Sequence, residues 1–296
     1  MAKTGLVTVL FKSDEVLEGF FKSIFIQDEK DYILYLVDNS WNETTTQLIA
    51  TLSARYPLTS IKHINTGGNI GVAAGNNTGI RASLADGCTH VLILNNDIET
   101  DQPFVFSRLL ASSREQQDAM VVPKIFYYDS PKLWMAGGYM DWWRALGVHY
   151  GMGKADGPAF DKPRSITYAP TCFMLVPAAV FATTGLMDEP YFAYYDDTDF
   201  VVRAQKAGYK LYYEPSVVIL HKVSSSAGEN SPFYVYYSNR NKIYFIRRNM
   251  RGFRKWFAIG YTLLSRVAFW LRFDKARRKK LVQGLKDGFR LPVVKP

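Results

Sequence analysis

Across the first 100 residues, apolar runs of strand length alternate with segments of helical period, and that alternation leaves few folds open. GLVTVLF reads as a buried strand. SDEVLEGFFKSIFIQ follows as an amphipathic helix, with Ser13 at its N-cap and Asp14 and Glu15 in its first turn. YILYLVDNS is a second strand ending in polar residues. A helix from Thr44 to Tyr56 stops before Pro57, IKHIN is a third strand, Gly71 to Ala85 a helix, and THVLILNND a fourth strand with a polar end. Consecutive units of this kind call for a parallel sheet covered by helices on both faces. Ligands in such open sheets bind at the carboxyl ends of the strands. Here those ends carry Asp38, Asn39 and Ser40 on one strand and Asn95, Asn96 and Asp97 on another. Asx residues also close turns and cap helices, so residue type alone leaves both roles open.

A chain of 296 residues, 48% hydrophobic and 15% aromatic, can bury one large core or two modest ones, which argues against general disorder. Cys88 and Cys172 both lie in apolar surroundings and form no C-x-x-C pair. Buried free thiols in a reducing cytosol are the expectation. MAKTGLVTVLFKSDE has only a strand-length apolar part and no small-residue cleavage site, so it reads as mature protein rather than a signal peptide.

Between Ala119 and Ala169 the periodicity loosens, as binding loops and lids often do. Trp134, Trp142 and Trp143 in this stretch suit either a sugar-stacking platform or core packing. SITYAPTCFMLV is expected as one strand, and Pro177 opens a short helix ended by Gly185. FAYYDDTDFVVRAQKAGYK then sets Asp196, Asp197 and Asp199 ahead of Phe200, Val201, Ala204 and Ala207 at helical spacing, with Gly208 as C-cap. The acids thus sit at a helix N-terminus, where capping and the helix dipole explain one or two of them but not the third. Asp199 and Arg203, four apart, are expected to pair on the helix surface. YKLYYEPSVVILHKVSSS is a further strand ending on His221 and a serine run.

Five pieces in order, VDNS (37–40), NTGGNIGVAAGNNTGIRAS (65–83), LNNDIE (94–99), FAYYDDTDFVVRAQKAGYKL (192–211) and HKVSSS (221–226), give the chain a likeness from Leu6 to about Asn249. It resembles the family 2 inverting glycosyltransferases, most closely their rhamnosyltransferase-like branch. The resemblance implies an α/β architecture of GT-A type: a Rossmann-like, mixed and mainly parallel sheet flanked by helices, with a C-terminal helical extension. It implies a nucleotide-sugar-binding catalytic domain over 1–240 and a basic extension over 241–296.

The resemblance also implies roles. Asp97 matches the last acid of the family's D-x-D element and His221 its downstream metal-binding histidine, together holding Mg²⁺ or Mn²⁺. Asn95, where the first acid often stands, and Asn96 beside it would contact ribose or diphosphate. Asp38, helped by Asn39, would accept a hydrogen bond from a pyrimidine N–H. The segment around Asn69, Gly71 and Asn76 would let the backbone approach the nucleotide. Asp197 would be the base, Asp196 its tuning partner, with Asp199 and Arg203 orienting the loop and the three tryptophans facing the acceptor. Rhamnose from a thymidine diphosphate donor is the first expectation and a hexose from a uridine donor the second. The acceptor would be a glycan or a polyprenyl-diphosphate-linked sugar in bacterial surface-polysaccharide synthesis. An inactive nucleotide- or carbohydrate-binding protein is the alternative.

Charge is divided unevenly along the chain. From Arg240 onward 17 Lys+Arg face 2 Asp+Glu, whereas residues 1–239 carry 19 against 25. WFAIGYTLLSRVAFWLRF (256–273) falls short of the roughly 20 residues that span a bilayer, and Arg266 and Arg272 interrupt it. Flanked by RNMRGFRK and DKARRKK, it is expected as helices on an anionic membrane surface, at the inner face of the cell membrane. Its aliphatic and aromatic content is too high for a phosphate-tracking surface, so no nucleic-acid partner is expected. Packing on the catalytic domain or a homo-oligomer contact is the other reading.

Overall fold

The computed structural model describes residues 3–40, 42–223 and 231–293. Strands β1 (Thr4–Leu10), β2 (Tyr32–Asp38), β3 (Ile61–Asn65) and β4 (His90–Leu94) alternate with helices α1 (Leu17–Phe25), α2 (Glu43–Arg55) and α3 (Val72–Ala85). β5 (Ile98–Glu99), α4 (Val105–Glu115), β6 (Met120–Tyr127) and β7 (Leu133–Met135) follow, then a hairpin of β8 (Gly138–Asp141) and β9 (Leu146–His149). The chain continues through β10 (Arg164–Ile166), β11 (Phe173–Pro177), α5 (Ala178–Thr184), α6 (Asp196–Lys206) and β12 (Leu211–His221). Three helices close it: α7 (Pro232–Asn249), α8 (Gly252–Arg272) and α9 (Lys275–Arg290).

The large sheet runs β10-β12-β6-β11-β4-β1-β2-β3, with β5 on β12 and β7 on β6. The neighbours from β4 to β3 are parallel, as are β6 and β12, while β11 runs antiparallel between β4 and β6. The sheet is therefore mixed and mainly parallel. Its register sets the functional rim. Leu10 lies opposite Asp38 and Asp38 opposite Asn65, so β1, β2 and β3 end level with one another. His221 ends β12 opposite Tyr127 of β6 and Ile98 of β5, which draws the segment after β4 to the same rim.

Three local expectations are corrected. SITYAPTCFMLV is two strands: β10 stays on the sheet edge against β12, and β11 crosses to the centre. Between them lies a segment containing Pro170, which has no N–H to give a ladder. Ser13 precedes a short 3₁₀ turn and makes no capping bond. Its hydroxyl accepts the Asn96 amide instead, tying the end of β4 to the end of β1. Pro177 is the last residue of β11 and precedes α5 rather than lying in its first turn. Cys88 and Cys172 are buried and free.

Two cores hold the molecule. One packs around the sheet. The other joins Met140 and Ala145 of the hairpin region, Tyr191, Val202 of α6, Tyr244, Phe245 and Ile246 of α7, and Ala258 and Ile259 of α8. Tyr244, Phe245 and Ile246 are fully buried, and each such side chain contributes on the order of 1.5–3 kcal/mol. Residue 240, where the sequence divides by charge, lies inside α7. Gly284 and Gly288 of α9 sit against the α7 backbone, where an added Cβ would come within 2.5 Å of the carbonyls of Tyr236 and Arg240. The serine run, Ser224, Ser225 and Ser226, lies outside the described residues.

Candidate active site

Asp97 and His221 meet at the sheet rim, with Asp97 Oδ1 3.1 Å from His221 Nε2. The lysine after His221 fixes this approach, since its N–H donates to the Asp97 carbonyl at 2.9 Å. Among the described residues, Asp97 Oδ1 has no hydrogen-bond partner beyond its contact with His221 Nε2 and His221 Nδ1 has none, although both atoms are buried. A carboxylate oxygen and an imidazole nitrogen so placed fit a divalent cation. Adjacent ligands of an octahedral ion at about 2.1 Å stand roughly 3 Å apart. Among the described residues no group of three or more His, Cys, Asp or Glu is gathered. Two protein ligands would leave positions for a diphosphate and water, the usual Mg²⁺ arrangement. Asn95 is exposed at the same rim, while its N–H donates to the Cys172 carbonyl at 2.8 Å.

An aromatic wall connects this pair to the acidic cluster. Trp134 meets the His221 ring edge-on at 4.6 Å and the His149 ring at 4.4 Å. His149 stacks on Tyr168 at 5.8 Å, and the Tyr168 hydroxyl donates to Asp197 Oδ2 at 3.4 Å. Burial lowers the His149 pKa to about 4, so this ring is neutral. Burial pushes the Cys172 thiol well up, and the negative charges of both Asp97 and Asp197 push in the same direction. One run of packed side chains, Trp134, His149 and Tyr168, therefore links His221 and its neighbour Asp97 to Asp197.

Asp196 and Asp197 open α6, and Asp196 is 4% exposed. Burial, reinforced by the Asp197 charge, drives Asp196 up to about 8. Asp197 is also raised by burial, against hydrogen bonds from Thr198 and Tyr168 that favour its charged form. Burial thus raises both carboxyls of the pair above the ordinary aspartate range. Asp199 departs from expectation: it is 0% exposed, and Arg203 beside it 6%. Its Oδ2 accepts Arg203 Nε at 2.6 Å. Its Oδ1 accepts Arg248 Nε at 3.1 Å and Asn249 Nδ2 at 2.7 Å, both from α7. This is an internal lock, because one carboxylate with several donors survives burial where a lone one would not.

At the ends of β2 and β3 the expected donor residues divide into open and engaged ones. Asn69 is exposed, and its Oδ1 accepts the Gly71 N–H at 3.0 Å. Gly71 has φ +89°, and an added Cβ would strike Phe192 at 2.7 Å. Asp38 is 0% exposed; its oxygens accept the Ser40 N–H at 2.7 Å and face His63 Nε2 at 3.2 Å. Asn39 donates to the Gly71 carbonyl at 3.1 Å and accepts the Thr66 hydroxyl at 2.9 Å, so it shapes the glycine-rich loop. Asn76 is 5% exposed and its amide meets Met187 Sδ at 3.7 Å, away from the open groups. Asn96 is buried against Ser13.

The three tryptophans form no common platform. Trp134 belongs to the wall beside His221, Trp142 stacks on Phe245 at 6.4 Å, and Trp143 lies edge-on to Phe257 of α8 at 5.1 Å. Sequence reading passed over the device that holds the acidic pair in place. Phe192, Tyr194 and Tyr195 all take left-handed backbone, with φ of 63°, 66° and 67°, a conformation that costs bulky residues about 1–3 kcal/mol each. Asn241 of α7 spans this loop. Its amide donates to the carbonyls of Tyr191, Ala193 and Tyr194 at 2.8, 2.6 and 2.8 Å. His63, His149 and Tyr168 were also missed; none has a partner close in sequence that would have marked it.

A mixed sheet of this order, with acids and a histidine on one rim, defines a nucleotide-sugar transferase architecture. Residues 6–182 match the model of glycosyl transferase family 2, and the chain belongs to that family. The acidic pair and His221 lie beyond the matched span and rest on the geometry above. Among curated relatives, the N-acetylglucosaminyl-diphospho-decaprenol L-rhamnosyltransferase of Mycobacterium tuberculosis is 24% identical, over 94% of this chain and 97% of the relative. Among solved structures, S. aureus TarS 1-349 in complex with UDP is 14% identical with a TM-score of 0.64, covering 98% of this chain and 81% of that one. Mannosyltransferase PcManGT of Pyrobaculum calidifontis in complex with GDP-Man and Mn²⁺ is 12% identical with a TM-score of 0.59, covering 97% and 86%. The fold is that of the GT-A glycosyltransferases.

Proposed function

We propose that this glycosyltransferase works with inversion, moving a sugar from a nucleoside diphosphate to a lipid-linked or glycan acceptor in a single displacement. Rhamnose, carried on thymidine diphosphate, is the first candidate, the sugar being supported by the name of the mycobacterial relative; a uridine-linked hexose is the second. The observation that carries the reading is the close approach of Asp97 and His221, linked through Trp134, His149 and Tyr168 to Asp197 of the acidic pair. Asp197 takes the proton of the acceptor hydroxyl as its oxygen bonds to the anomeric carbon. The bond from that carbon to the diphosphate oxygen breaks on the opposite face, and the nucleoside diphosphate leaves with the bonding pair. Asp97 and His221 would hold the cation, Mg²⁺ or Mn²⁺, which when bound offsets the charge of the departing diphosphate. Asn69 and Asn95 offer exposed polar groups to the nucleotide, beside a loop that Asn39 ties down through the buried Gly71. Among the described residues no helix is long and apolar enough to cross a membrane; the basic helices α8 and α9 suit a protein seated on the inner face of one.

Calorimetric titration of dTDP in the presence of Mn²⁺ tests the cation site. Asp97→Ala is expected to weaken binding at least tenfold and to remove its dependence on Mn²⁺. An unchanged isotherm would reassign the residue.

A further inference from the structure

A cavity of about 350 Å³ lies between α7, α8 and the hairpin that begins the second core, lined among others by Arg144, Tyr195, Lys242, Tyr261, Arg266 and Phe269. Lys242 is 4% exposed, and among the described residues it forms no ion pair. Its only close contact of note is the Tyr261 ring, 5.9 Å from the ammonium. Arg266 donates to the neutral Asn239 and Ser265, whereas Arg144 is paired with Asp141 at 2.6 Å. Among the described residues, the cavity wall therefore carries a buried lysine outside any ion pair and a half-buried arginine hydrogen-bonded to neutral groups. Burying a charge without a counter-charge is costly, and a fold that keeps one at a cavity wall is arranged for an anion. Burial, with the positive Arg266 and Arg144 nearby, lowers Lys242 to about 8 against the opposing charge of Asp141, so it stays mostly protonated at neutral pH.

Two further features narrow the anion. Tyr195, the residue before Asp196, lines the cavity, so its contents lie one residue from the acidic pair. Tyr261, Phe269 and Phe273 of α8 and the segment after it supply an apolar side to the same space. The opposite face of α8 is open: Phe253, Trp256, Leu264, Val267 and Leu271 are 74, 68, 76, 57 and 64% exposed. They recur at helical spacing on one stripe. A small anion would need no apolar wall and no greasy helix beside it.

We propose that this cavity binds the diphosphate of a prenyl-diphosphate-linked acceptor, with Lys242 and Arg266 on the phosphates and the chain leaving along α8 into a lipid layer. The inference rests on the transferase reading and specifies its acceptor side. Farnesyl diphosphate is the probe, titrated calorimetrically into the full chain. Wild type is expected to bind it, Lys242→Met to weaken binding at least tenfold, and Lys279→Met, which removes an exposed charge from α9, to stay within twofold. Arg266→Gln should reproduce the loss and replaces Lys242→Met if that variant does not fold. No binding to wild type, or equal binding by Lys242→Met, overturns the proposal. So does inorganic pyrophosphate binding as tightly as farnesyl diphosphate, which would make this a free-phosphate site. Phosphatidylglycerol vesicles, with phosphatidylcholine vesicles as the neutral reference, form the last arm. If Lys242→Met lowers their capture as strongly as it lowers farnesyl diphosphate binding, the site reads bulk headgroups and the proposal also falls. Titration of dTDP with Mn²⁺ into the same samples reports the donor site alone, so failure of the transferase reading shows there and not in the farnesyl diphosphate isotherm.

Discussion

Asp196 couples the chemistry of the cleft to the stability of the fold. Its unfolded pKa is about 3.9, and in the folded chain burial raises it to about 8. Across that window the native state keeps a proton that the unfolded chain has lost, so stability falls as pH rises from about 4 to about 8, by up to about 1.4 kcal/mol per pH unit. Asp196→Asn mimics the protonated form and should flatten this slope. Thermal melts at about pH 5 and about pH 8 are expected to show wild type losing more than the variant at the higher pH; equal losses would mean that Asp196 is ionised in the fold. Asp197, raised by burial, sets an acid limb: kcat/KM falls as pH drops through a value above the usual 3.9. At this scale the sequence was informative where residues end periodic elements, as Asp97, Asp197 and His221 do. It was silent on His63, Tyr168 and His149, whose partners Asp38, Asp197 and Trp134 come from elements distant in the chain.

The loop from Asp188 to Tyr195 shows how one element is disciplined by another. Three aromatic residues in left-handed conformation are strained, and Asn241 holds the loop from α7 by its carbonyls. Asn241→Leu keeps the shape but leaves buried acceptors unpaired, at about 1–3 kcal/mol. The expected outcome is a lower Tm and a kcat reduced at least tenfold with donor affinity unchanged; an unaltered kcat would show that the loop keeps its shape without the clamp. Asp199→Ala removes the buried carboxylate shared by Arg203, Arg248 and Asn249 and should cost about 3–5 kcal/mol by denaturant unfolding. A loss under 1 kcal/mol would mean the lock is already solvated. The helical period of α6 was legible, but its partner was not: heptad-like spacing predicts a buried face and says nothing of which helix covers it. Asp199 and Arg203 therefore looked like a surface pair until α7 was laid over them.

For the molecule as a whole, the first four βα units were readable because each apolar run has a single partner layer to reach. β10 and β11 were not, since the period of an isolated strand does not encode a jump from sheet edge to centre. The charge step at residue 240 marks a change of surface rather than of packing, because α7 is buried on both sides of it, at Val235 and Asn239 before and at Tyr244, Phe245 and Ile246 after. The proposed membrane contact rests on the exposed apolar stripe of α8. Leu264→Glu combined with Trp256→Glu alters only exposed positions and should abolish co-sedimentation with anionic liposomes while leaving the melting temperature within a few degrees. Retained sedimentation would move membrane contact elsewhere. The central claim is that one cleft joins a cation site to an aspartate base, and it is tested most directly by steady-state transfer from dTDP-rhamnose by Asp197→Asn, with donor affinity measured on the same preparation. The expected result is a kcat lower by about 10²–10⁴-fold with donor affinity within a few fold; turnover at the wild-type rate would contradict the account.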